Sequence, residues 1–206
     1  MKKGCFLITT YCENESKLKI LKDCILNLKE KSNLDILLYN HHTIPESIEK
    51  LVNYSVYDYS NPIFKYPEKY LIVDDKIIDD YGYAALQQLK RGYFFLKNIN
   101  YDFMIAINYD VIIDNFLINF IINKIETNNA ILFYNYHNII KLTLSCFCTY
   151  LDNIFNEITK EDYIKNAEDT YAEIYFQNII NKNDQISFHK VLAKDYIDHY
   201  KTSVNS

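Results

Sequence analysis

Tryptophan is absent from this chain, and glycine and proline occur only three times each. Gly4, Gly82 and Gly92 are too scattered to build a Gly-x-Gly-x-x-Gly turn or a Walker loop. Both motifs need clustered glycines to bring backbone N–H groups against phosphate, so their absence argues against the classical dinucleotide binders and the P-loop enzymes. A basic excess is also missing. Lys and Arg number 22 against 27 Asp and Glu, giving a net charge of −5. Broad contact with a nucleic-acid backbone needs a basic face, so nucleic acid is not an expected partner, although a local basic pocket is compatible with this charge. No apolar run approaches the roughly 20 residues that cross a bilayer, and no transmembrane segment is expected. The start, Met1-Lys2-Lys3-Gly4-Cys5-Phe6-Leu7-Ile8, meets polar Thr9 too soon for a signal peptide. The expected location is the cytoplasm, bacterial or that of a host cell if the chain is viral; the bias to Tyr, Asn, Ile and Lys fits an AT-rich coding genome.

Five cysteines are present, at 5, 12, 24, 146 and 148, without a paired Cys-x-x-Cys zinc spacing. They read as reduced, mostly buried thiols of a reducing compartment. The length of 206 residues suits one domain with one sizeable core, and the expected organisation is a single domain over residues 1–206.

Hydrophobic periodicity orders the chain. Residues 5–10 read as a buried strand. Leu18, Leu21, Cys24, Ile25 and Leu28 recur at helical spacing and predict a helix over 17–30. Strands follow at 35–39 and 53–59, with a short helix at 45–51 opened by Pro45. The stretch 61–80 carries Pro62, Pro67 and the pairs Asp74-Asp75 and Asp79-Asp80; it reads as a long, partly ordered connection that could serve as a lid. Helices are predicted at 83–96, 115–125, 151–158 and 168–180, and strands at 103–107, 130–136, 142–150 and 186–191. Early β-α alternation points to an α/β fold with a mostly parallel, doubly wound sheet and a smaller, irregular C-terminal half.

The densest information lies in Phe103-Met104-Ile105-Ala106-Ile107-Asn108-Tyr109-Asp110. A short apolar run ends abruptly in a carboxylate. Open α/β sheets bind ligands at the carboxyl ends of their strands, and a carboxylate there can hold a hard divalent cation that in turn holds phosphate. The competing reading makes Asp110 a turn residue and Asp114 the cap of the next helix.

Taken together, these segments resemble the GT-A nucleotide-sugar glycosyltransferases. Phe6-Leu7-Ile8-Thr9-Thr10-Tyr11-Cys12-Glu13-Asn14-Glu15 is similar to that family's opening strand and loop. Asn108-Tyr109-Asp110 resembles its Asp-x-Asp motif, with Asn in place of the first Asp. Ala167-Glu168-Asp169 resembles the x-Glu-Asp motif of inverting members, and His199 their C-terminal metal-binding histidine. The resemblance implies a nucleotide-diphosphate sugar donor, a glycan or other hydroxyl acceptor, and Mn²⁺ or Mg²⁺ as cofactor. It implies Asp110 and His199 as metal ligands and Asp169 as the base of an inverting transfer. Thr10, Tyr11, Glu13, Asn40, Arg91 and Asn108 would contact the nucleotide. The expected function is metal-assisted, inverting glycosyl transfer of hexosyltransferase type. Asn108 removes one negative charge, which favours the alternative of a catalytically inactive nucleotide- or partner-binding module. A nucleotidyltransferase ranks last, since its usual Gly-rich, basic N-terminal loop is missing. Asn166 and Asp169 also satisfy a helix-capping pattern, and His189 reads as a packed strand residue.

Overall fold

The computed structural model describes residues 2–60, 63–65, 68–73, 75–113, 115–125, 131–134, 140–141, 149–166, 172–181, 187–189 and 197–199. Its centre is a four-stranded parallel sheet in the order β3-β2-β1-β6, formed by β1 (Gly4–Thr10), β2 (Asp35–Asn40), β3 (Tyr54–Tyr57) and β6 (Phe103–Asn108). The fold is α/β, as the alternation predicts. β1 lies in the middle because it is apolar on both faces, the pattern of a strand covered by helices on either side. Successive side chains point to opposite faces: Cys5 and Leu7 enter one apolar layer, Phe6 and Ile8 the other.

Helix α1 (Glu15–Lys31) covers the Phe6 face with Leu21, Cys24, Ile25 and Leu28. Asn14 caps it by accepting from the Lys17 N–H at 2.9 Å, Glu15 sits in its first turn, and Lys29 and Lys31 sit in its last. All three placements complement the helix ends. Helix α3 (Gly82–Asn98) covers the Leu7 face with Leu86, Leu89, Tyr93 and Leu96. It approaches so closely that a Cβ on Gly92 would lie 2.6 Å from a Leu7 methyl.

The chain departs from sequence expectation in several places. The stretch 61–80 contains an antiparallel hairpin, β4 (Tyr70–Val73) and β5 (Lys76–Asp79), and a bridge between Phe64 and Asp80. Phe64 is buried there, so the segment is anchored to the core through one aromatic side chain. Val111–Ile113 forms β7, which pairs antiparallel with β11 (Ile197–His199). Helix α2 (Glu46–Glu49) matches its expectation, and α4 (Asn115–Ile125) coincides with its predicted range. Strand β8 (Ile131–Tyr134) pairs with β9 (Ile140–Lys141) and with β10 (Ser187–His189). Of the predicted strand 142–150, residues 142–148 lie outside the described set; Thr149 and Tyr150 instead open helix α5 (Thr149–Glu157). Helix α6 (Lys160–Asn166) was not expected, because its seven residues are too few to show a period. Helix α7 (Ala172–Asn181) follows within the predicted helix 168–180, whose first residues lie outside the described set. Among the described residues, no helix is long and apolar enough to cross a membrane.

Candidate functional site

The sheet reverses its direction of growth at β1. The chain runs from β1 to β2 and β3 on one side, then returns to place β6 on the other. The crevice beyond the carboxyl ends of β1 and β6 is thus the switch point where such sheets take ligands. The parallel register sets Asn40 beside Thr10 and Thr9 beside Asn108 along this edge.

A cavity of about 320 Å³ opens there, between the strand ends, the N-terminal half of α3 and the β4–β5 hairpin. Thr9 and Asn108 reach it, while Thr10 does not line it. The reason is the two-residue period of the strand: Thr9 shares the Leu7 face, whereas Thr10 turns towards α1. There its hydroxyl lies 2.7 Å from the Cys12 thiol, and its carbonyl accepts from Gln88 Nε2 at 2.9 Å. Among the expected nucleotide contacts, Thr10 is therefore engaged with the core and its neighbour Thr9 is the cavity residue. Counting alternate residues along β1 from buried Leu7 would have found it.

Tyr11 stands at the edge of the site. Its ring meets His42 edge-on at 4.6 Å and Tyr81 at 5.6 Å, and Tyr81 lines the cavity. Glu13 is exposed and pairs with Lys17 at 2.6 Å. Asn40 is buried at the end of β2, donating Nδ2 to the Val56 carbonyl at 3.3 Å and leaving Oδ1 without a partner. His41, in the bend after β2, is also buried. Its Nδ1 lies 2.9 Å from the Asp58 carbonyl, which can only accept, so Nδ1 carries the hydrogen. Arg91 does not line the cavity. It is paired with Asp58 and donates to Ser60 Oγ at 2.8 Å. Burial, the largest influence on the Asp58 carboxyl, would raise its pKa. The hydroxyl and N–H of Ser60, together with Arg91, outweigh it and hold the carboxyl below its ordinary value. Sequence spacing could not reveal that Arg91 had a carboxylate 33 residues away.

Asp110 lies two residues beyond the end of β6. Its Oδ1 is buried and has no hydrogen-bond partner. Leaving a buried acceptor unpaired costs free energy, and such an atom in a native fold calls for an explanation, a bound ion among them. Two buried thiols stand close by. Burial pushes Cys12 up to about 11 and Cys24 to about 12, with the Asp110 charge acting in the same direction. Neither thiol is a thiolate at neutral pH. Among the described residues, no group of three or more His, Cys, Asp and Glu side chains comes together. A Mg²⁺ ion does not require one, since it is commonly held by one or two carboxylates with phosphate and water completing the shell. The orphaned oxygen fits that arrangement. The backbone of His199 lies opposite Val111, next in sequence to Asp110. Asp169 lies outside the described residues.

Comparison with solved structures places the fold in a structural class. A protein of Desulfovibrio desulfuricans G20, provisionally described as a nucleotide-diphospho-sugar transferase, superposes with a TM-score of 0.55 at 10% identity, covering 93% of this chain and 80% of its own. The 1–349 segment of S. aureus TarS gives a TM-score of 0.53 at 10% identity over 95% of this chain and 59% of that one. Against a longer TarS chain the TM-score is 0.50 at 12% identity, and this chain spans 36% of its length. No protein-family model matches the sequence. No curated protein matches it either. At these identities the likeness concerns the fold: the protein has a GT-A-like fold, shared with nucleotide-diphospho-sugar transferases.

Proposed function

We propose that the protein moves a sugar from a nucleotide-diphosphate sugar to a hydroxyl acceptor, as a metal-assisted, inverting glycosyltransferase of hexosyltransferase type. The observation that carries this reading is the unpartnered Oδ1 of Asp110 at the carboxyl edge of a GT-A-like sheet. Asp110 and His199 would hold Mn²⁺ or Mg²⁺, which supplies positive charge against a departing diphosphate. An imidazole ligand suits Mn²⁺ better than Mg²⁺. The rings of Tyr11, His42 and Tyr81 form an aromatic edge against which a base or a sugar can lie. Asn108 would accept from, or donate to, a ribose hydroxyl. Asp169 would take the proton of the acceptor hydroxyl as its oxygen attacks the sugar.

A second reading, a nucleotide- or partner-binding module without turnover, is favoured by Asn108, whose amide leaves the strand end one negative charge short. One measurement separates the two. The protein is heated with UDP-, GDP- and dTDP-sugars, with and without Mn²⁺. A rise in melting temperature that needs both one nucleotide-sugar and the metal supports transfer. A response to nucleotide that is indifferent to metal supports binding alone, and a response to none removes both nucleotide readings.

A further inference from the structure

The cavity beside the strand ends has the wrong interior for a sugar. Its aliphatic lining is Leu71, Ile78, Leu86, Leu89, Ala106 and Ile107. Its polar groups are confined to Thr9, Asn108, Asp79, Asp80 and Tyr81, and the Asp80 carboxylate is already taken by Lys69, by Tyr163 and by the Gly82 N–H. A sugar or a diphosphate sunk among the aliphatic side chains would lose hydrogen bonds to water and find no replacement. A hydrocarbon chain would lose nothing and leave water behind. The volume lies at the small end of ligand sites, which begin at about 300 Å³.

The hairpin that roofs the cavity extends the same chemistry outward. Ile72 and Ile77 face each other across β4 and β5 and are 67% and 55% exposed. They form an apolar pair on the element whose Leu71 and Ile78 line the cavity. A chain longer than the cavity has a surface to follow. Asp79 lines the cavity, and its side chain opposes an anionic head group.

We infer that this cavity receives an aliphatic chain, and that the acceptor is an amphipathic molecule with an uncharged, hydroxyl-bearing head beside Thr9 at the strand end and its hydrocarbon part beneath the hairpin. The word acceptor rests on the transferase reading above; the chemistry of the cavity does not. The full chain is titrated by calorimetry, without nucleotide or metal, with methyl, hexyl and octyl β-glucosides below their micelle-forming concentrations, and with octanoate. Each methylene that enters an apolar site strengthens binding by about fourfold, so the octyl glucoside should bind at least about tenfold more tightly than the methyl glucoside. Octanoate should bind more weakly than the octyl glucoside. Ala85 lines the cavity from an exposed position on α3, so Ala85→Phe should obstruct it at little cost to folding and remove most of the chain-length gain. If that variant melts early, Ala85→Leu takes its place. Equal binding of methyl and octyl glucosides, or an octyl affinity untouched by a folded Ala85 variant, overturns the inference. Octanoate binding as tightly as the octyl glucoside overturns the uncharged head. Chain-length-dependent binding in a protein that answers to no nucleotide-sugar would retain the aliphatic site and lose the transferase; the reverse pattern would lose the aliphatic site alone.

Discussion

Lys69 and Asp80 form a buried ion pair, 3.4 Å apart, with side chains 4% and 1% exposed. The pair closes the base of the β4–β5 hairpin. Asp80 also accepts from the Gly82 N–H at 2.7 Å and from the Tyr163 hydroxyl at 3.2 Å, so one carboxylate joins the hairpin, the first turn of α3 and helix α6. Tyr81, the residue before α3, offers no side-chain cap of its own. Asp80 does that work from one position earlier. Removing one partner of a buried pair leaves an uncompensated charge and costs about 3–5 kcal/mol. Asp80→Ala should lower the unfolding free energy by that amount in urea titration. A loss under about 1 kcal/mol would show that the pair is solvated and the hairpin loosely held.

Asp58 and Arg91 give a pH signature. The Asp58 carboxyl is held below its ordinary value of 3.8 in the folded protein. A group depressed on folding contributes stability above its unfolded pKa and loses it as pH falls through the folded one. The Asp58 contribution should therefore be complete at neutral pH and fade only below about pH 3.8. In Arg91→Ala the carboxyl titrates at higher pH, and acid unfolding should begin earlier. Melting curves across pH 2–6 test this, and superimposable acid limbs for the two proteins would exclude it.

Asp110→Ala should separate stability from binding. The substitution removes a buried oxygen that has no partner, so the fold should keep its melting temperature or gain slightly. Metal-dependent nucleotide binding, read by calorimetry with UDP and Mn²⁺, should vanish. Unchanged affinity would remove Asp110 from the proposed metal site. The companion Asn108→Asp restores a charge and should tighten metal binding if Asn108 faces the cation.

Cys5, Cys12 and Cys24 should be inert in the native protein. Burial pushes their thiols to about 12, 11 and 12, and the thiolate is the reactive form. At pH 8 about one Cys12 in a thousand is ionised. Iodoacetamide labelling followed by peptide mass spectrometry should find these three sites unmodified until denaturant is added. Rapid native labelling of Cys12 would mean that the β1–α1 loop opens.

Asp169→Asn keeps size and removes basicity. If Asp169 is the base, turnover should fall by about 10²–10⁴-fold while donor affinity holds. If it serves only the helix end, stability should drop by about 1 kcal/mol and turnover should survive.

The sequence determined the parts of this protein whose cause is local. The period of Leu21, Cys24, Ile25 and Leu28 set α1, the unbroken apolar runs set β1 and β6, and the abrupt passage from Ile107 to Asn108 and Asp110 marked the strand end where the candidate site lies. What only the tertiary structure decided depends on partners distant in the chain. The hairpin in residues 61–80 is short and polar at its turn, so its strands show little pattern until Phe64 and Asp80 anchor it. Strand β7 exists through pairing with β11, more than 80 residues on, and three residues carry no readable period. The commitment of Arg91 to Asp58 and the orphaned oxygen of Asp110 follow from how separate elements pack, because burial and hydrogen bonding are properties of the assembled core.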